Sequence, residues 1–234
     1  MKKLNRILKI IGIVLVGLVL VLTGLFAIYN EDLPQGEQPQ AADALAYKML
    51  KAVNHEAYKN TEVIQWTFAG QHHYQWFKQQ KRVDVKWDNI LVHLNLQHPD
   101  SSVVLKNDIE IKDESKSAII QKAVDFFNND SFWLVAPHKV FDPGTERKIV
   151  QLENGEQGLL VSYTSGGSTP GDSYLWMLDE SGLPTVFKMW VSVIPLGGLE
   201  ATWENWTKGE TGALFPASHK MLFLTIALDD VTAS

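Results

Sequence analysis

The sequence predicts a mainly β fold with helical inserts, an α+β class. The architecture is an unclosed antiparallel β-barrel or curled sheet lidded by helices, preceded by one transmembrane helix. Three observations carry this. Residues 10–28 form a run of 19 residues without a charge. From Thr61 onward, segment after segment alternates apolar and polar residues with period two, the pattern of half-buried strands. Two segments, 41–54 and 115–128, switch to apolar spacings of three and four, the pattern of amphipathic helices.

The first element is the apolar run IIGIVLVGLVLVLTGLFAI. A helix rises about 1.5 Å per residue, so this length spans a hydrocarbon core of about 30 Å. A cleavable signal peptide is the competing reading, but its apolar region is about 7–15 residues and ends in a small-x-small site. This run is longer, and Phe26-Ala27-Ile28-Tyr29 offers no such site. Lys2, Lys3, Arg6 and Lys9 precede the run, which predicts a cytoplasmic N-terminus and an extracytoplasmic, periplasmic location for everything after Tyr29. The expected organisation is a basic stub and anchor at 1–29, a polar linker at 30–40 and a single extracytoplasmic domain at 41–234.

Charge and cysteine content narrow the function classes. After residue 30 stand all 27 acids and 17 of the 21 bases, a formal balance of −10. That argues against nucleic acid and anionic lipid surfaces as partners, since both need a basic face. The chain has no cysteine. This excludes anchoring through an acylated cysteine, disulfides and thiolate metal sites.

The linker EDLPQGEQPQ is polar and rich in turn residues, a spacer away from the membrane. In the first helix Leu45, Met49, Ala52 and Val53 share a face. A meander follows: Ile64, Trp66 and Phe68, then Tyr74 and Trp76, then Val83, Val85 and Trp87, then Ile90, Val92, Leu94 and Leu96. The second helix carries Ile119, Ile120, Ala123, Phe126 and Phe127 on one stripe, with Asp113 as its cap. After an apolar, proline-bearing segment, strands resume at 148–152, 159–164, 173–178, 185–194, 201–207 and 219–228. Asn154-Gly155 makes a hairpin turn. One long sheet with two helical inserts is the economical arrangement, and a sheet that long curls and needs cover on its concave face.

No catalytic, metal or cofactor site is predicted. The seven histidines lack H-E-x-x-H spacing, and His72 and His73 point to opposite faces of a strand. The stretch SGGSTPG at 165–171 is neither a G-x-S-x-G elbow nor a P-loop, and reads as a hairpin loop. The acid pairs Asp113-Glu114, Asp179-Glu180 and Asp229-Asp230 sit at element ends, where solvated turn acids are expected. The eight tryptophans are the most informative set. Trp66, Trp76 and Trp87 share the inward face of successive strands with Val85 and Val92, and Phe187 and Met189 lie inward in a later one. Plain core packing is one reading. A cavity for a hydrophobic ligand is the other, because apolar sites are clefts lined by such side chains.

The segment DSFWLVAPHKVFDPG at 130–144 resembles a motif of bacterial envelope proteins that are similar in layout to the LolA-like lipoprotein carriers. The resemblance implies an unclosed antiparallel barrel whose helices lid an apolar cavity, and binding of acyl chains or lipid-modified proteins. On it, Phe132 and Trp133 join the cavity lining with Leu134, Pro137 stops the helix, Lys139 pairs with Asp142, and Asp142-Pro143-Gly144 turns into the next strand. A carrier must diffuse, whereas this chain has an anchor and no cysteine. The expectation is therefore a tethered, non-catalytic domain that binds a hydrophobic ligand, lipoprotein or other envelope protein. The alternative is an envelope scaffold with a filled core.

Overall fold

The computed structural model describes residues 2–165 and 169–234, excepting the side chains of 2–8, 10, 22 and 25. Helix α1 (Lys2–Tyr29) contains a stretch, Ile11–Tyr29, with mean hydropathy 2.9, long and apolar enough to cross a membrane. Helix α2 (Pro39–Ala52) starts on a proline, whose missing N–H is harmless in a first turn, and buries Ala42, Ala46, Met49 and Leu50. A short helix α3 (His55–Asn60) follows.

Six strands then run as an antiparallel meander: β1 (Val63–Phe68), β2 (His72–Phe77), β3 (Arg82–Trp87), β4 (Ile90–Asn95), β5 (Val103–Lys106) and β6 (Ile109–Glu110). Helix α4 (Ser115–Val135) comes next; Asp113 Oδ1 accepts from the Ser115 backbone N–H at 2.9 Å. A second meander comprises β7 (Thr145–Gln151), β8 (Gln157–Tyr163), β9 (Ser173–Leu178), β10 (Pro184–Trp190) and β11 (Leu199–Thr202). A two-residue ribbon, β12 (Thr207–Lys208) with β13 (Leu214–Phe215), precedes β14 (Ser218–Met221) and β15 (Leu224–Ala233).

The expected single sheet is laddered as two. One has eight strands in the order β14-β15-β1-β2-β3-β4-β5-β6, and the other five in the order β11-β10-β9-β8-β7. They meet at a seam where β14 lies antiparallel beside β11. An isolated bridge joins Glu204 to Ser218, His219 Nδ1 donates to the Thr202 carbonyl at 2.8 Å, and the Lys220 N–H donates to Thr202 Oγ1 at 2.8 Å. Side-chain bonds replace a regular ladder there, which lets the surface turn sharply. Neither sheet closes, so the fold is the unclosed, curled, helix-covered α+β arrangement.

The eight-stranded sheet buries one face, and the five-stranded sheet buries one face fully and part of the other, where Val150, Leu160 and Leu175 cluster. Ile64, Trp66, Tyr74, Val83, Val85, Trp87, Val92 and Leu94 form a first core under Ile120, Ala123 and Phe127 of α4. Leu159, Val161, Tyr174, Trp176, Phe187, Met189 and Leu199 form a second under α2. Helix α4 is shared. Its first half and Leu134 belong to the first core, while Phe132 and Trp133, with Ala136 just beyond its end, pack on the second.

Several boundaries differ from the sequence reading. Helix α4 runs on through Val135, so the first six residues of DSFWLVAPHKVFDPG are helical; the apolar side chains of 130–135 have two cores to enter from successive turns. The segment expected as one strand at 219–228 is a tight hairpin, with Leu222 at φ 54°. The strand expected to reach residue 194 stops at Trp190, where a loop takes over. β5 and β6 are short strands without clear alternation, and β6 is the edge. In the 165–171 stretch, residues 166–168 lie outside the described residues; β8 and β9 on either side pair antiparallel.

Candidate functional site

The nine side chains expected to line a cavity fall in two places. Trp66, Trp76, Val85, Trp87 and Val92 belong to the first core, and Phe132, Trp133, Phe187 and Met189 to the second. Six are buried; Trp76, Phe132 and Trp133 are half-buried. Ring contacts join them to α4 and to each other. Trp66 stacks on Tyr74 with centroids 4.4 Å apart, Trp76 meets Phe127 edge-on at 5.2 Å, and Trp87 meets Phe126 edge-on at 5.4 Å. In the second core Phe132 lies 4.6 Å from Tyr174, and Trp133 lies 5.6 Å from Phe187. In this state the aromatic rings themselves occupy the space beneath α4.

Their polar ends are a different matter. The indole N–H groups of Trp66, Trp76, Trp176 and Trp203 are buried and donate to no acceptor among the described residues. Leaving one such donor unmet costs about 1–3 kcal/mol, so four in two adjoining cores is a concentrated expense.

One carboxylate pins the covering helix. Asp130 is 2% exposed and lies on the stripe of α4 defined by Ala123, Phe127 and Leu134. Its Oδ2 accepts from Tyr74 Oη at 2.6 Å and from His72 Nδ1 at 2.7 Å, both on β2. Asn129 Nδ2 donates to Oδ1 at 2.8 Å. Burial first, then the adjacent Asp130 charge, push the Tyr74 hydroxyl far above its ordinary range, so it remains a donor. The sequence offered a signal for this latch: an acid three residues after Phe127 and four before Leu134, inside an apolar stripe. Metal spacing among the histidines gives no sign of it, because His72 serves as the partner of a buried acid 58 residues away.

Beside the latch, a crevice of about 480 Å³ opens between the β1–β2 turn, the β3–β4 turn and α4. His72, His73, Trp87, Asp88, Lys122 and Phe126 line it. His72 stacks on Phe126 at 3.9 Å, and Lys122 Nζ stands 5.1 Å from the same ring. His73 Nδ1 lies 3.0 Å from Thr67 Oγ1.

The rest of the 130–144 segment forms the floor between the helices. Phe141 stacks on Tyr47 of α2 at 4.6 Å, and Val140 is fully buried. Lys139 and Asp142 pair at 2.7 Å, as expected. Gly144 has φ 83°, and a Cβ there would stand 2.1 Å from Ser165 Oγ, so only glycine ends this turn. His138 stacks on Tyr58 at 4.2 Å and donates from Nε2 to the Leu214 carbonyl at 3.1 Å. Burial lowers its pKa to about 3, and burial likewise lowers that of His219 to about 4. Both rings are neutral parts of the core.

At the other side of the second sheet, the residues after α1 are clamped rather than free. The Glu31 N–H donates to the Gly197 carbonyl at 3.0 Å, and the Gly197 N–H donates to Asn30 Oδ1 at 2.9 Å. Trp190 Nε1 donates to the Glu31 carbonyl at 2.8 Å, and Lys188 Nζ reaches both Glu31 carboxylate oxygens at 2.7 and 2.8 Å. A Cβ on Gly197 or Gly198 would come within 2.5–2.6 Å of Glu31. Further along, the Glu37 N–H donates to the Ile149 carbonyl at 3.0 Å, so the stretch expected as a spacer lies along the sheet.

No protein family and no curated protein matches the chain. Among solved structures it is similar to a DUF1329 family protein from Desulfovibrio piger, at 12% identity and TM-score 0.43, covering 85% of this chain and 94% of that one. It is also similar to a domain named as an outer membrane lipoprotein-sorting protein from Vibrio parahaemolyticus, at 9% identity and TM-score 0.35, covering 81% and 93%. The helix-covered α+β arrangement rests on this chain's own elements: a helix, a meander, a covering helix and further strands in open antiparallel sheets.

Proposed function

We propose that the chain is a membrane-tethered, extracytoplasmic, non-catalytic domain that takes up a hydrophobic ligand between α4 and its two sheets. An acyl chain, free or carried by a lipid-modified partner, is the ligand class. The observation that carries this reading is the set of buried, unmet indole N–H groups on Trp66 and Trp76 beneath α4 and on Trp176 and Trp203 beside it. A ligand with an apolar body and a carbonyl or ester oxygen supplies both the contact area and the missing acceptors. Binding requires α4 to lift, since aromatic rings fill the space in the described state. Lifting releases the Asp130 contacts and the buried side chains of Ile120, Ala123, Phe127 and Leu134, which the ligand's apolar body must replace; the start of α4 is joined through 111–114, a largely exposed stretch after the two-residue edge strand β6.

The filled aromatic cores favour a second reading, an interaction module whose rings serve packing. One experiment separates the two. Cells producing the full chain are fed a diazirine-bearing fatty acid, irradiated, and the adducts mapped by mass spectrometry. Adducts on 64–94 and 119–134 are the expected result. Adducts confined to α1 would leave the packing reading standing.

A further inference from the structure

The β14–β15 hairpin turns on Leu222 and Phe223, which are 74% and 89% exposed, and Leu224 follows at 49%. This is an unusual choice for a tight turn. Hairpin turns favour Asn-Gly or Asp-Gly because those residues accept positive φ, yet Leu222 holds φ 54°. A large apolar pair at a strained, solvent-exposed tip gains nothing from the core.

The register shows what lies beside it. β14 runs antiparallel to β11 with Ser218 opposite Glu204 and Lys220 bonded to Thr202. Carried on, that register brings Leu222 and Phe223 beside Glu200 and Leu199, at the start of β11. The loop entering β11 is the one that clamps Asn30 and Glu31, the residues leaving α1. The same loop exposes Val193 at 72%. The hairpin tip, the 191–198 loop and the exit of the apolar helix therefore share one end of the molecule, with neighbouring strands about 5 Å apart. Tyr29, 63% exposed at the helix end, supplies an aromatic of the kind found at membrane interfaces. The lysines near this end are paired, Lys188 with Glu31 and Lys220 with Glu204, and Glu200 and Asp32 are exposed acids, so the charge here does not draw an anionic headgroup and any contact with lipid rests on the apolar side chains.

We propose that the Leu222–Leu224 tip and Val193 dip into the outer leaflet of the bilayer that α1 crosses, giving the domain two further points of membrane contact and a fixed tilt. This rests on the tethered reading above. The contact is apolar, which suits a domain whose overall charge is acidic.

The absence of cysteine makes the test direct. Single-cysteine variants Phe223→Cys, Val193→Cys, Leu20→Cys and Gln80→Cys of the full chain are labelled with an environment-sensitive fluorophore and reconstituted in phosphatidylcholine vesicles. Quenching by a lipid carrying a nitroxide near its headgroup is compared with quenching by aqueous iodide. Gln80 lies in the turn at the opposite end of β2. Lipid quenching of about twofold or more at positions 223 and 193, as at 20, and none at 80, is expected. A second variant, Leu222→Asn with Phe223→Gly, installs a conventional turn; it should keep the melting temperature and weaken lipid quenching at position 193. Quenching at 20 with aqueous access at 223 and 193 would overturn the contact while leaving the tether intact. Shielding of 223 from both quenchers would mean a protein covers the tip, and would also overturn it. A position 20 reached by iodide and not by lipid would bring down tether and contact together.

Discussion

Asp130 shows how one residue can decide whether the covering helix stays down. Its carboxylate satisfies Tyr74 and His72 at once; Asp130 and Tyr74 are buried, and His72 borders the crevice. Asp130→Ala should therefore cost about 1–3 kcal/mol, because it strands the buried Tyr74 hydroxyl as well as removing the bond to His72. Urea unfolding would read it, and a loss under 1 kcal/mol would show that water enters the site freely. Lys139→Ala should cost under about 1 kcal/mol, because its pair with Asp142 is partly exposed and local in sequence. His138 gives a pH prediction. Its folded pKa is about 3 against an ordinary 6.5, so the folded state refuses a proton that the unfolded chain accepts. It is neutral in both states above pH 6.5 and has no effect there. As pH falls from 6.5 towards 3, it destabilises the fold at about 1.4 kcal/mol per unit at most. His219 acts in the same direction down to about 4. His138→Phe should make that slope shallower from about pH 6.5 downward in unfolding midpoints measured between pH 7 and pH 4.

Among the elements, the loop between β10 and β11 is the most constrained. Gly198 has φ 79°, and a Cβ there would meet the Glu31 side chain at 2.6 Å. Gly198→Ala should loosen the Glu31 clamp and cost about 1–2 kcal/mol. Hydrogen exchange should show faster exchange at Glu31 and Gly197, and unchanged protection there would dispose of the clamp. Comparison of elements also shows what the sequence could convey. Period-two alternation located β1 to β4 because each has one wet and one dry face. The strand at 173–178 was legible as a bounded apolar run. Alternation could not separate β14 from β15, since Met221-Leu222-Phe223-Leu224 reads as continuous strand and the turn lacks glycine, proline and asparagine. It could not set the end of α4, because Phe132, Trp133 and Leu134 enter two different cores and so leave no single stripe. The tryptophan-lined face of the first sheet was legible for the same reason as its strands. The latch was not, because His72 and Asp130 stand far apart in sequence and only the packing of α4 on β2 brings them together.

For the molecule as a whole, the two open sheets and their seam define what can move. The sheets share α4 as cover and meet along β11 and β14, joined by the Glu204–Ser218 backbone bridge and by the bonds of His219 and Lys220 to Thr202. Thr202→Val removes the hydroxyl that receives the Lys220 N–H and should cost about 0.5–1.5 kcal/mol. If the sheets rock about the seam when α4 lifts, this variant should also raise the yield of fatty-acid adducts in the first core. An unchanged yield would place the motion in α4 by itself.

The position of β15 bears on how the chain reaches this state. It lies between β14 and β1, with Ala233 paired to Ile64. The first strand of the Trp-rich meander thus waits for a neighbour made 160 to 169 residues later, from Phe68 with Leu228 to Ile64 with Ala233. Contacts of such long sequence separation slow folding, because a large loop must close before they form. Until residues 224–233 arrive, β1 presents an unpaired edge beside an apolar face. A nascent chain in that condition is open to aggregation. Refolding should accordingly be slow, on the order of milliseconds to seconds, with β1 and β15 gaining exchange protection together and late.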